Sequence, residues 1–123
     1  MTIAYWCILA AGILPQMVGL YAKIDKTFDN NDPRVYLGKL EGAKARAVAA
    51  MENGYEGLPL FIAAVIIAHL TGANQTWIDT LAVAYLISRV LFSIIYISGK
   101  GTLRSLVWTV GLGCIIGLFV ISA

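Results

Sequence analysis

Four apolar stretches, residues 3–22, 43–70, 77–98 and 103–123, take up most of this chain. Each has about the length that crosses a bilayer, where a helix needs roughly 20 apolar residues. Only 13% of the residues are charged and 59% are hydrophobic, with a mean hydropathy of +0.80. A soluble domain is about a quarter charged. A chain of 123 residues has too little interior to hide so much apolar surface from water, so its solvent is lipid. The expectation is an all-α integral membrane protein, a single domain over 1–123 built as a bundle of four transmembrane helices.

Composition also excludes several function classes. A formal net charge of +2 with no basic run gives nucleic acid nothing to hold. Cys7 and Cys114 stand far apart in two apolar, lipid-facing segments, so they read as small hydrophobes and not as a disulfide or a metal site. His69 stands alone at the end of a span and reads as an interfacial residue. No metal ligand set, internal repeat or phosphate-cradling glycine loop is present.

The second span opens with RAVAAMENGYEGLPLF, residues 46–61, which places Arg46, Glu52, Asn53 and Glu56 in an apolar setting. At ~100° per residue, Arg46 and Asn53 lie ~20° apart and Glu56 ~60° from Asn53, so the three share one helix face. A charge within a span costs roughly 2.5–3.5 kcal/mol even on lenient insertion scales, and usually faces a bundle interior, a wet cavity or a ligand. The structural alternative is that Arg46 and Glu56 only neutralise each other while Asn53 joins two helices. Glu52 is an extra acid that pairs with Lys44 or Arg89, or faces a neighbouring subunit. The same span is rich in small residues, among them Ala47, Ala50, Gly54 and Gly57, which let helices approach closely in lipid.

The remaining segments fit around this one. Pro15 and Pro59 each remove a backbone donor inside a span, and a bend is expected at each. The only long polar stretch is 23–41, with a turn at Asn30, Asn31, Asp32 and Pro33 and with Tyr36 and Leu37 at the interface. In the third span Tyr85, Arg89, Phe92, Ser93 and Tyr96 recur at spacings of three and four, so they form one stripe with Arg89 in mid-membrane. Arg104 and Ser105 lie in the first turn of the fourth span. Lys and Arg cluster before and at the start of span two and between spans three and four, and are absent from the N-terminus, the second loop and the C-terminus. The positive-inside rule then puts both termini outside and the basic loops in the cytoplasm. Arg46, Tyr96, Lys100 and Arg104 meet at the cytoplasmic end of the bundle.

These residues together resemble the MAPEG family, the membrane-associated proteins in eicosanoid and glutathione metabolism. The family pattern Arg…Asn-x-x-Glu-x-x-Pro-x-Phe reads here Arg46…Asn53-Gly54-Tyr55-Glu56-Gly57-Leu58-Pro59-Leu60-Phe61. The third-helix pattern falls on Arg89, Phe92 and Tyr96, and the arginine-serine that opens the fourth helix falls on Arg104-Ser105. Two positions depart from the pattern. Ala49 stands near a second family arginine, and Phe92 replaces a polar aromatic. The resemblance implies a homotrimer with sites between subunits that bind glutathione as co-substrate, open to the cytoplasm. It implies Arg46, Asn53, Glu56, Arg89 and Tyr96 as glutathione-binding residues and Arg104, Ser105 and Tyr96 as the catalytic ones.

The chemistry suits that assignment. Arginines hold carboxylates by charge-assisted bonds, a glutamate holds an ammonium, and an asparagine serves either. A guanidinium favours thiolate over thiol, which is the role expected of Arg104, with Ser105 as an alternative donor. The function expected is a glutathione S-transferase, with peroxidase activity towards lipid hydroperoxides in view, acting on lipophilic electrophiles from the bilayer. Two other classes compete: a small proton-coupled multidrug transporter, and a catalytically silent lipid-binding protein. Transporters of that type carry their acid in the first span, and this first span has none. Short loops resemble the bacterial branch of the family, which implies the inner membrane.

Overall fold

The chain, described here from a computed structural model that covers all 123 residues, contains five helices and no strand. They are α1 (Ile3–Lys23), α2 (Pro33–Gly38), α3 (Gly42–Leu70), α4 (Gln75–Ile97) and α5 (Gly101–Ser122). The four long ones are apolar and long enough to cross a membrane. They begin within a residue or two of the apolar stretches, and polar side-chain caps set the starts of α1 and α4. Thr2 accepts from the Tyr5 amide at 3.4 Å and Asn74 from the Trp77 amide at 3.2 Å.

Glycine sets two of the stops. After α3, the Gly72 amide donates to His69 O and the Ala73 amide to Ala68 O; after α4, Gly99 donates to Tyr96 O and Lys100 to Ile95 O. Both are Schellman turns, and both require the left-handed backbone found at Gly72 (φ 72°) and Gly99 (φ 80°). These tight turns make α3, α4 and α5 antiparallel neighbours. α3 and α4 form the centre of the bundle, each packed on both α1 and α5.

Several expectations need correction. Pro33, read as the last residue of a turn, instead opens a short helix α2 over Pro33–Gly38 that the sequence reading did not include, because proline at a first helical position is pre-set for a helix. Pro15 and Pro59 sit inside helices that continue past them, which is compatible with the bend expected at each. Cys7 and Cys114 face the bundle interior, at 5% and 8% exposure, and remain unpaired. The small residues of α3 pack within the chain. A Cβ at Gly54 would lie 2.7 Å from Pro15 Cγ, so α1 seats its proline in the hole that glycine leaves. Ala47 and Ala50 are likewise buried. What α3 leaves exposed is a different face, with Glu52, Tyr55, Glu56 and Leu60.

One apolar cluster fills the half of the bundle that contains the N-terminus, with Phe61, Val65, Ile78 and Leu118 fully buried. A polar latch closes that end. His69 Nδ1 donates to Val65 O at 2.7 Å, so Nε2 accepts from the Thr2 hydroxyl at 2.8 Å, and Tyr5 stacks on the ring at 3.9 Å. Asp79 accepts from the Ala4 amide at 3.0 Å and from Gln75 Nε2 at 2.9 Å. His69 is thus half-buried and committed to the fold.

Candidate functional site

The other half of the bundle is built differently. Arg89, on the buried side of α4, is 7% exposed. Its Nη2 donates to Asn53 Oδ1 on α3 at 2.9 Å, and its guanidinium carbon lies 4.3 Å from the centre of the Phe92 ring. Phe92 meets Tyr96 edge-on at 5.5 Å, and the Arg104 guanidinium lies 4.5 Å from the Tyr96 ring centre. The stripe seen in the sequence is therefore a ladder, two aromatic rings with a cation at each end. Cation–π contact steadies a guanidinium without neutralising it.

No carboxylate lies against either cation. The only ion pair in the chain joins Lys44 to Asp25, at 3.9 Å, in the polar loop. Glu52 and Glu56 are exposed on the outside of α3 and have no partner within the chain. Two of the sequence alternatives fail on this: Arg46 and Glu56 do not neutralise each other, and Glu52 pairs with neither Lys44 nor Arg89. A guanidinium offers five donors. Arg89 spends one on a neutral amide.

Two adjoining clefts open beside these residues. One, of about 460 Å³, is lined by Asn53, Phe92, Tyr96, Arg104 and Ser105 among others. It falls within the roughly 300–1,000 Å³ range of small-molecule sites. The second, of about 230 Å³, has Asn53, Glu56 and Arg89 at one end and apolar α5 side chains along its length. Asn53 and Trp108 line both, so the clefts adjoin there. Six of the seven site residues named from the sequence thus line these two adjoining clefts: Asn53 both, Glu56 and Arg89 the smaller, and Tyr96, Arg104 and Ser105 the larger.

Arg46 is the exception. Its Nε donates to Ile97 O at 3.0 Å and its guanidinium rests against Gly99. Sharing a helix face with Asn53 is not sharing a site: seven residues separate them by roughly 10 Å along the axis. The long side chain reaches the unsatisfied carbonyls at the end of α4, where a cation is favoured. Ser105 lines the cleft, but its hydroxyl donates to Gly101 O at 3.2 Å, so its proton is engaged within the helix.

A family model described as MAPEG family matches residues 3–123. The chain belongs to the MAPEG family. It is an integral membrane protein of a family tied to glutathione and eicosanoid metabolism. A search among curated proteins and a search among solved structures each found no match. The MAPEG match takes in every helix that contributes to the clefts.

Two contributors escaped sequence reading. Tyr85, grouped only with the aromatic stripe, lines the smaller cleft from α4 and stacks on Phe61 at 4.1 Å. Trp108 stands where the clefts join. Its signal was its spacing from Arg104, four residues on and so on the same face of α5.

Proposed function

We propose that this MAPEG protein is a membrane-bound glutathione S-transferase, with peroxidase activity towards lipid hydroperoxides as a related capacity. One observation carries the reading. Arg89 is buried in a membrane span, bonded to a neutral amide and without a carboxylate, in a cleft lined by an unpaired glutamate and adjoining one lined by a second unpaired guanidinium. Removing an ion from water costs several kcal/mol unless it is paired. A guest that carries carboxylates and an ammonium supplies the missing partners: a carboxylate to Arg89, an ammonium to Glu56, and either to Asn53. Arg104, held on the Tyr96 ring, favours the thiolate, and Tyr96 donates to the sulfur or to the peptide. Ser105 contributes only if its hydroxyl leaves Gly101 O.

The same electrostatics supports assembly as a homotrimer with sites completed between subunits. Glu52 and Glu56 sit four apart on the exposed face of α3, so lipid is the wrong neighbour for that face. Both termini lie outside, the basic loops in the cytoplasm, and the membrane is a bacterial inner membrane. Arg46 contributes by holding the α4–α5 turn near the site.

The test is conjugation of glutathione to a lipophilic electrophile by the purified protein, with a titration of glutathione alone. Arg104→Ala is expected to abolish thiolate formation while peptide binding persists, and Glu56→Ala to weaken binding itself. Turnover unchanged in both variants refutes the site. A glutathione titration with no saturable binding refutes the co-substrate.

A further inference from the structure

We infer that the smaller cleft, between α3, α4 and α5, binds the lipophilic reaction partner, and that the Tyr85 phenol donates a hydrogen bond to a neutral carbonyl oxygen on it. The substrate class this selects is long-chain α,β-unsaturated aldehydes and ketones.

Tyr85 is 3% exposed. A tyrosine that deep normally finds a partner for its hydroxyl. Yet Tyr85 Oη makes no hydrogen bond in the chain, and no unpaired side-chain oxygen or nitrogen is sealed inside the bundle. Tyr85 lines this cleft and a gap of only about 10 Å³ beside Pro15, and the nearness of Oη to Gly57, which lines the cleft alone, puts the hydroxyl on the cleft side. The ring is held in place by the Phe61 stack on one side and by Gly111, where a Cβ would lie 3.8 Å from the Tyr85 ring. A second glycine makes room for the oxygen: a Cβ at Gly57 would lie 3.0 Å from Oη. Any side chain there would crowd the phenol and cover its donor.

Along the cleft, Leu60, Leu112, Trp108 and Ile115 offer an apolar wall for an acyl or alkyl chain. Tyr85 is a neutral donor on that wall. Asn53 and Trp108 mark the junction with the larger cleft, where Arg104 and Tyr96 stand. A chain with its carbonyl on Tyr85 turns its conjugated double bond towards the junction. The thiolate attacks the β-carbon, a C–S bond forms, and the π pair of the double bond moves towards the carbonyl oxygen. The phenol O–H holds that developing negative charge by hydrogen bonding. The proton released by the thiol ends on the α-carbon, so the sum is addition of S–H across C=C with no oxidant or reductant. Tyr85's part in catalysis rests on the transferase reading; its part in binding does not.

The binding test needs no glutathione. In a Trp6→Phe, Trp77→Phe background, Trp108 is the one fluorophore of its kind, and it lines the cleft. A brominated long-chain saturated ketone and the brominated alkane of the same length are titrated into the protein in nanodiscs. The ketone is expected to quench Trp108 at lower concentration. Tyr85→Phe keeps the ring stack and is expected to erase that preference, a loss of about five- to tenfold for one hydrogen bond. Leu112→Phe, which narrows the cleft, is expected to weaken both probes. A ketone preference that survives Tyr85→Phe overturns the donor, and quenching that Leu112→Phe leaves unchanged overturns the location. In turnover, Tyr85→Phe is expected to lower kcat/KM for the enone by about the same factor and leave an aryl halide unaffected. Equal loss on both substrates overturns the specificity role. A protein that turns over neither substrate but keeps the ketone preference refutes the transferase and leaves the binding site standing.

Discussion

The two ends of this bundle treat polar side chains in opposite ways. Around Thr2, His69, Gln75 and Asp79, each group is bonded to another part of the chain, and the apolar cluster lies directly beneath. Around Asn53, Arg89 and Arg104, one neutral hydrogen bond and two ring contacts serve two buried or half-buried cations, and the apolar packing gives way to clefts. A membrane protein that needed only to stand upright would treat both ends alike. The difference separates polarity that builds the fold from polarity held ready for a guest. Substitutions at the first end should cost stability and spare chemistry; at the second they should do the reverse.

The sharpest way to break this contrast is Arg89→Met. It removes a buried charge but keeps an unbranched apolar stem. Replacing buried ions with apolar groups of similar volume is often neutral or stabilising. The expected outcome is a thermal midpoint equal to or above that of the parent in detergent, with kcat/KM for glutathione conjugation lowered by about a hundredfold or more. That factor corresponds to losing a charge-assisted hydrogen bond to a carboxylate. A clear fall in stability with turnover intact would show that Arg89 belongs to the scaffold.

Asp79→Ala is the counterpart at the packed end. It leaves the Ala4 amide and the Gln75 amide without their acceptor. An orphaned donor costs about 1–3 kcal/mol. The midpoint should fall, while activity per folded molecule stays within twofold of the parent. Altered KM with unchanged stability would contradict the division of labour.

The sequence and the structure meet unevenly across the same divide. The four spans were legible because lipid leaves composition little freedom, and the cation-bearing end was legible because charge in a span is costly enough to stand out. Arg89 and Asn53 were named separately, and their bond was not foreseen, since a helical wheel orders residues on one helix and says nothing of register between two. Arg46 shows the complementary error. Its angle on the wheel was right, but its height placed it at the α4 terminus, where a flexible arginine finds carbonyls first. Asp79 passed unnoticed in the third span, because an acid near a span's start reads as an interface residue unless its partner on α1 is known. Tyr85 escaped because nothing in a pattern of apolar and aromatic residues reveals which hydroxyl will lack a partner.

The paired glycine turns probe the contrast at equal chemistry. Gly72 ends α3 at the packed end, and Gly99 ends α4 at the open end, with φ of 72° and 80°. Forcing alanine into that region costs about 1–2 kcal/mol. Gly72→Ala and Gly99→Ala should therefore lower the midpoint by similar amounts. Neither should change conjugation at saturating glutathione, since Arg46 meets the added methyl at ordinary contact distance. A selective loss of turnover in Gly99→Ala would make the α4–α5 turn part of the site.

The smallest effect is expected in the loop that belongs to neither end. Asp25 is exposed, and its carboxyl is held below the usual aspartate range by the Thr27 amide first, then by the Thr27 hydroxyl, with Lys44 adding to both. A carboxyl with a depressed value in the folded state stabilises at pH above its unfolded value, about 3.9, and loses that contribution as pH falls through the folded one. Asp25→Asn should therefore flatten the acid side of the midpoint–pH curve below about pH 4 and change nothing at neutral pH. Solvent screens an exposed group of this kind, so the change is visible only as a difference between the two curves. If the curves coincide, the loop's turn is held by its backbone and by the Phe28–Tyr36 contact at 5.2 Å, and the Asp25 carboxylate contributes nothing to the fold.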